Sequence, residues 1–195
     1  MKNIKTSWII IGVIILLAIF SISKYNSLVA KEEQVEQAWS QVENVYQRRL
    51  DLIPNLVNTV KGYAAHEKET LEGVIEARAK ATSVTIDPSN LDANALQQFE
   101  AAQQGLTQAL SKLMVVVERY PELKANQNFL ELQSQLEGTE NRIAVERKRF
   151  TEAVQSYNTY LRKFPNNIIA SLFGFEKKAY FKAQEEAQTA PKVEF

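Results

Sequence analysis

His66-Glu67 is the one place where this chain sets a histidine beside a carboxylate in the manner of a zinc-hydrolase helix. That chemistry needs a second imidazole four residues on, so that two ring nitrogens converge on one metal from one helical face. Thr70 stands there, and the chain has no other histidine. Cysteine is absent, which removes disulfides, thiol nucleophiles, thiolate metal sites and the acylated cysteine of a lipoprotein. The sequence contains no nucleotide-binding loop, nucleophile elbow or carboxylate pair with an orienting partner. The expectation is a protein without metal, cofactor or catalytic site.

Charged residues on apolar seams carry more information. Arg49 and Glu146 each fall on a core position of a helical repeat. An unpaired buried charge costs several kcal/mol, about 3–5 when one partner of a pair is lost. Arg49 and Glu146 are therefore expected in one buried polar layer that fixes helix register, with Glu140, Asn141 or Arg142 nearby. The competing reading lets Arg49 snorkel along its stem and leaves Glu146 at a solvated edge. Arg147-Lys148-Arg149 is basic, but Glu140, Glu146 and Glu152 dilute it. The mixed signs favour a solvated face over a nucleic-acid site, and the overall balance of 23 basic against 23 acidic residues gives no attracting field.

The elements that must position these groups are helices. The 195 residues are rich in Ala, Gln, Glu, Lys and Leu, with 6 Gly and 5 Pro, a composition suited to long helices. Between Thr6 and Ser23 there is no charge, and most side chains are Ile, Leu, Val or Phe. As a helix this run reaches roughly 27 Å, about the thickness of a bilayer's hydrocarbon core. Trp8, Ile11, Ile15, Leu16 and Phe20 mark the membrane anchor, with Lys5 and Trp8 at one end and Lys24 and Tyr25 at the other. A cleaved signal peptide is the rival reading, but the apolar run is long and no small-x-small site directly follows it. Lys2 and Lys5 against Lys24 and Lys31 lean towards a cytoplasmic N-terminus and a domain on the extracytoplasmic side of the inner membrane.

Beyond the anchor, Val35, Trp39, Val42, Tyr46, Arg49, Ile53, Leu56, Val60 and Tyr63 alternate spacings of four and three. This predicts one long helix over about 25–82, kinked at Pro54, where a backbone donor is missing. A linker with an Asp87-Pro88 turn leads to a helix over 92–120, which Asn90 or Asp92 can cap. The cleanest seam lies within 126–164, through Phe129, Leu136, Ile143, Phe150, Tyr157 and Phe164. Such seams predict an all-α domain of long antiparallel helices. A short helical segment is expected over 168–182, whose Phe173, Phe175, Tyr180 and Phe181 either cap the open end of the bundle or lie on the membrane surface. The division is 1–24 for the cytoplasmic tip and anchor, 25–182 for the bundle and 183–195 for a polar tail.

Several blocks point to a family. Ala38-Trp39-Ser40-Gln41-Val42 leads into Gln47-Arg48-Arg49-Leu50-Asp51-Leu52-Ile53-Pro54-Asn55-Leu56-Val57, and Val60-Lys61-Gly62-Tyr63-Ala64 follows. Later come Tyr120-Pro121, Leu123-Lys124-Ala125-Asn126, Glu137-Gly138-Thr139-Glu140-Asn141-Arg142-Ile143 and Phe173-Gly174-Phe175. The chain resembles the bacterial LemA family along nearly its whole length. That resemblance implies a transmembrane helix followed by an up-and-down four-helix bundle, without established catalytic residues. It also implies association with magnetosome membranes in one branch, and a membrane protease or TPM-domain protein as partner in others. The function expected is a membrane-anchored scaffold that self-associates in contact with the lipid bilayer. The alternative is an adaptor for a membrane protease or another envelope complex.

Overall fold

The computed structural model describes residues 6–181. They form helices α1 (Thr6–Tyr63), α2 (Lys68–Ser83), α3 (Ala93–Val117), α4 (Pro121–Lys124), α5 (Gln127–Arg162) and α6 (Asn166–Phe173). A 3-10 turn, Pro88–Asn90, precedes α3, and the described residues contain no strand. The fold is all-helical.

Polar side chains at the helix starts explain where three of these elements begin. Asp87 accepts from the Ser89 amide, Asp92 from the Ala95 amide at 2.7 Å, and Asn126 from the Phe129 amide at 3.0 Å. Each satisfies a backbone donor that has no partner inside its own helix. Asp92, one of the two residues expected there, caps α3.

The expected single helix over 25–82 is two helices. Its break lies at Ala64–Glu67, and α1 runs through Pro54 as far as Tyr63. Proline has no amide to donate to the carbonyl four residues back, which here belongs to Leu50. Arg78 reaches across from α2 and donates Nε–H to that carbonyl at 2.9 Å. A neighbouring helix thus fills the gap that Pro54 leaves, while the exposed position of Pro54 keeps its ring out of the core. Arg78→Met should lower unfolding stability by about 1.5–3 kcal/mol, the range for a hydrogen bond from a charged donor. Denaturant titration by circular dichroism checks this, and an effect within error would mean that water serves the carbonyl equally well.

Three contacts fix the direction of the main helix pair. Lys31 meets Ser156, Arg49 meets Glu140, and Tyr63 meets Asn126. As α1 advances α5 recedes, so the two run antiparallel. Two apolar clusters fill the interior. One gathers Leu28 to Tyr46 of α1, Leu96 and Phe99 of α3 and Ile143 to Leu161 of α5. The other joins Leu50 to Val60 of α1, Leu71 and Val74 of α2, Leu106 to Val117 of α3, and Phe129 and Leu136 of α5.

The expected helix over 168–182 ends early, at Phe173. Gly174 adopts φ +76 at the end of α6, a left-handed conformation that glycine enters without steric cost. Beyond it, residues 175–181 run without helix back along the domain as a strap.

Candidate functional site

The two apolar clusters meet at a polar layer, and Arg49 is its centre. The sequence places Arg49 between Tyr46 and Leu50, which belong to opposite clusters. Its side chain is 2 % exposed. Nη1 donates to Glu140 Oε1 at 2.9 Å and to Thr107 Oγ1 at 3.3 Å, while Nη2 donates to the Gln103 side-chain oxygen. The Tyr46 ring lies 5.1 Å from the guanidinium carbon. Thr107 donates in turn to the Gln103 carbonyl at 3.1 Å. Thr139, one residue before Glu140, is also buried and returns its hydroxyl proton to the Gln135 carbonyl. Three helices therefore contribute to one cross-section of the domain, and Glu140 opens it to solvent with 47 % of its side chain exposed.

Glu146 is not part of this layer. Two turns further along α5, it accepts from Arg149 at 2.8 Å. Adding seven to 139 leads to 146 on the seam, and Glu146 is indeed half-buried there, but the residue that reaches across to other elements is its neighbour Arg147. Arg147 donates to Glu100 at 2.6 Å and to the Tyr46 hydroxyl at 3.5 Å. Its guanidinium carbon also lies 4.1 Å from the centre of the Phe181 ring. The basic triplet is thus not one solvated face. Arg147 links α5 to α3 and to the strap, Arg149 pairs within its helix, and Lys148 lies 3.8 Å from Glu152 in solvent.

The strap is the part of the domain that the sequence disclosed least. Asn158 holds both backbone groups of Lys178, accepting from its amide and donating to its carbonyl. The Ala179 amide donates to the Leu91 carbonyl at 3.0 Å, and Lys178 pairs with Glu32 at 2.9 Å. Tyr157 donates its hydroxyl to the Glu176 carbonyl at 2.9 Å, and burial holds that phenol well above its ordinary range. Phe181 closes the strap by entering an aromatic box, 5.4 Å from Phe150 and 6.1 Å from Trp39. Alternation of apolar residues is too short in 175–181 to announce this course.

The other C-terminal aromatics divide. Phe175 is partly buried, 5.6 Å from Tyr25, whereas Phe173 and Tyr180 are 54 % and 53 % exposed. Glu67 accepts from the Tyr120 hydroxyl and forms an ion pair with Arg119, both at 3.1 Å, and so ties the α1–α2 break to the end of α3; His66 beside it is exposed. A groove of about 270 Å³ opens between α3 and α5, lined by Leu110, Met114 and Leu136 and bounded by Glu140.

The anchor residues Trp8, Ile11, Ile15, Leu16 and Phe20 all lie on the exposed surface of α1, between 44 % and 68 % accessible. This first stretch of α1 is long and apolar enough to cross a membrane, with a mean hydropathy of 2.2 and no part buried against the rest of the fold.

Comparison with known proteins agrees with this picture. Magnetosome protein MamQ 2 of Paramagnetospirillum magneticum is 27 % identical over 185 residues, spanning 85 % of this chain and 67 % of that protein. Magnetosome protein MamQ of Magnetospirillum gryphiswaldense is 26 % identical over the same length and shares. Protein LemA of Metamycoplasma hominis is 23 % identical over 164 residues, 84 % of this chain and 71 % of that one. The model of the LemA family matches residues 38–195, from the last turn before Trp39 through the polar layer and the strap, and the chain belongs to the LemA family.

Proposed function

We propose that this protein is a non-enzymatic, single-pass scaffold of the bacterial inner membrane, which self-associates and organises membrane or envelope proteins. The observation that carries this reading is the continuity of α1. One helix of 58 residues holds both the exposed apolar run and the central seam of the domain. A helix without an intervening linker transmits orientation, so the domain turns with the anchor and does not swing about it. α1, α2, α3 and α5 act as an up-and-down four-helix bundle standing on the extracytoplasmic side, as the lysine bias favours. The clustered polar groups of the interior bond to one another, which suits a structural role better than a reactive one. The magnetosome relatives support work at a membrane. Neither a cofactor nor nucleic acid belongs to this function.

An adaptor role, with a membrane protease or TPM-domain protein as partner, has one observation in its favour. The α3–α5 groove leaves Leu110, Met114 and Leu136 lining a surface cleft, the kind of apolar groove that takes the face of an amphipathic helix. Mass photometry of the full-length protein extracted gently from its own membrane, with proteomics on the same peak, separates the readings. A discrete homomer of many subunits is expected. A small species carrying a stoichiometric membrane protein would replace the scaffold with the adaptor.

A further inference from the structure

We infer that α6 is a second membrane contact, a short interfacial helix that rests on the headgroup region of the bilayer crossed by α1. This rests on the reading of α1 as an anchor and adds a site to it. Register places α6 at the right height. Lys31 of α1 is level with Ser156 of α5. Because the helices are antiparallel, six residues back along α1 is Tyr25 and six residues on along α5 is Arg162, where α5 ends. The chain therefore leaves α5 level with the position where the apolar run has just finished. The Phe173 ring lies 4.9 Å from Tyr25, which joins α6 to α1 at that height.

The two faces of α6 differ in what they touch. Ile169 and Ala170 are buried against the domain. Ile168 and Leu172, one turn apart, are 54 % and 74 % exposed, and Phe164, in the turn before α6, is 80 % exposed. With Phe173, which meets Tyr25 just past the apolar run, Ile168 and Leu172 give α6 an exposed apolar edge at the end of the domain that the anchor enters, and a protein surface in water seldom gathers such side chains. Charge agrees with a lipid occupant. Arg162, Lys163 and Lys177 are exposed near this edge in the chain, and Glu176 is the sole acid from Arg162 to Lys178. Apolar side chains flanked by bases match the boundary between acyl chains and anionic headgroups. A contact here and the anchor beside it would fix the tilt of the domain, which one helix alone leaves free.

The absence of native cysteine permits a direct test on the full chain. Leu172→Cys, Ile168→Cys, Leu16→Cys and Val115→Cys, each carrying an environment-sensitive fluorophore, are reconstituted into vesicles of phosphatidylethanolamine and phosphatidylglycerol. Nitroxide lipids labelled near the headgroup or deep in the acyl chain then report contact. Labels at 172 and 168 should lose emission to the shallow nitroxide, and the label at 16 to the deep one. The label at 115, on α3 and 69 % exposed, should lose emission to neither. If 16 is quenched while 172 and 168 behave like 115, the α6 contact is wrong and the anchor stands. A blue-shifted but unquenched label at 172 would assign the edge to a protein partner and overturn the inference. Failure of any lipid to quench 16 would overturn the anchor, and the α6 contact with it.

Discussion

Trp39→Ala should lower the stability of the domain by about 3–5 kcal/mol, the range for removing a large aromatic side chain from a core. Trp39 is fully buried, and its ring meets Phe99 at 5.4 Å and Phe150 at 5.3 Å, both edge-on. With Phe181 in the same box, one side chain of α1 joins α3, α5 and the strap. Aromatic pairs in such geometry add about 0.5–1.5 kcal/mol each beyond the area they bury, so the upper part of the range is expected. Phe181→Ala removes a ring from the same box but has a cheaper escape, because the strap can detach while the helices stay packed. Its cost is limited to what the strap contributes. Chemical unfolding of the full chain in mild detergent should therefore rank Trp39→Ala well above Phe181→Ala. Hydrogen exchange should show the amides of Lys178 and Ala179 released in both variants. Equal losses of stability would mean that the box holds the strap alone and does not join the helices.

That ranking also shows which parts of the molecule the sequence made legible. Trp39, Phe150 and Tyr157 lie on seams whose spacing of three and four is a local property, so they could be assigned to a core before any packing was known. The all-helical class, the uncharged run of α1 and a cap at Asn90 or Asp92 were legible for the same reason. Tertiary exchanges were not. Pro54 predicts a disturbed helix, but the donor that relieves it comes from Arg78, 28 residues beyond the Leu50 carbonyl that it serves. The break falls instead at Ala64–Glu67, a stretch with neither glycine nor proline. Seam arithmetic likewise chose Glu146, which is half-buried but pairs within its own helix with Arg149, whereas Glu140 and Arg147 make the contacts to other helices. The strap has no periodicity, since its partners lie on α1, α5 and the turn before α3.

Glu140→Leu should cost about 3 kcal/mol or more and should destabilise further than Arg49→Met, although Arg49 is the buried member of the pair. The asymmetry follows from what each substitution leaves behind. Removal of Glu140 strands a guanidinium that is 2 % exposed and cannot lose its proton, with only the neutral oxygens of Gln103 and Thr107 around it. Removal of Arg49 strands a carboxylate that is 47 % exposed and can turn to water. The double variant Arg49→Met with Glu140→Leu leaves no buried charge, and it should recover stability relative to Glu140→Leu alone. A double-mutant cycle on full-length protein measures this coupling. The same pair should set register. A slide of α1 by seven residues along α5 would bring Arg49 level with Gln133 in one direction, losing its counter-charge. In the other direction it would meet Arg147, a like charge. Arg49→Met removes that restriction, so disulfide trapping between Lys31→Cys and Ser156→Cys, adjacent in the native register, should become less complete. If Arg49→Met instead raised stability and left trapping, helical content and oligomer size unchanged, the layer would be a tolerated remnant with no part in alignment.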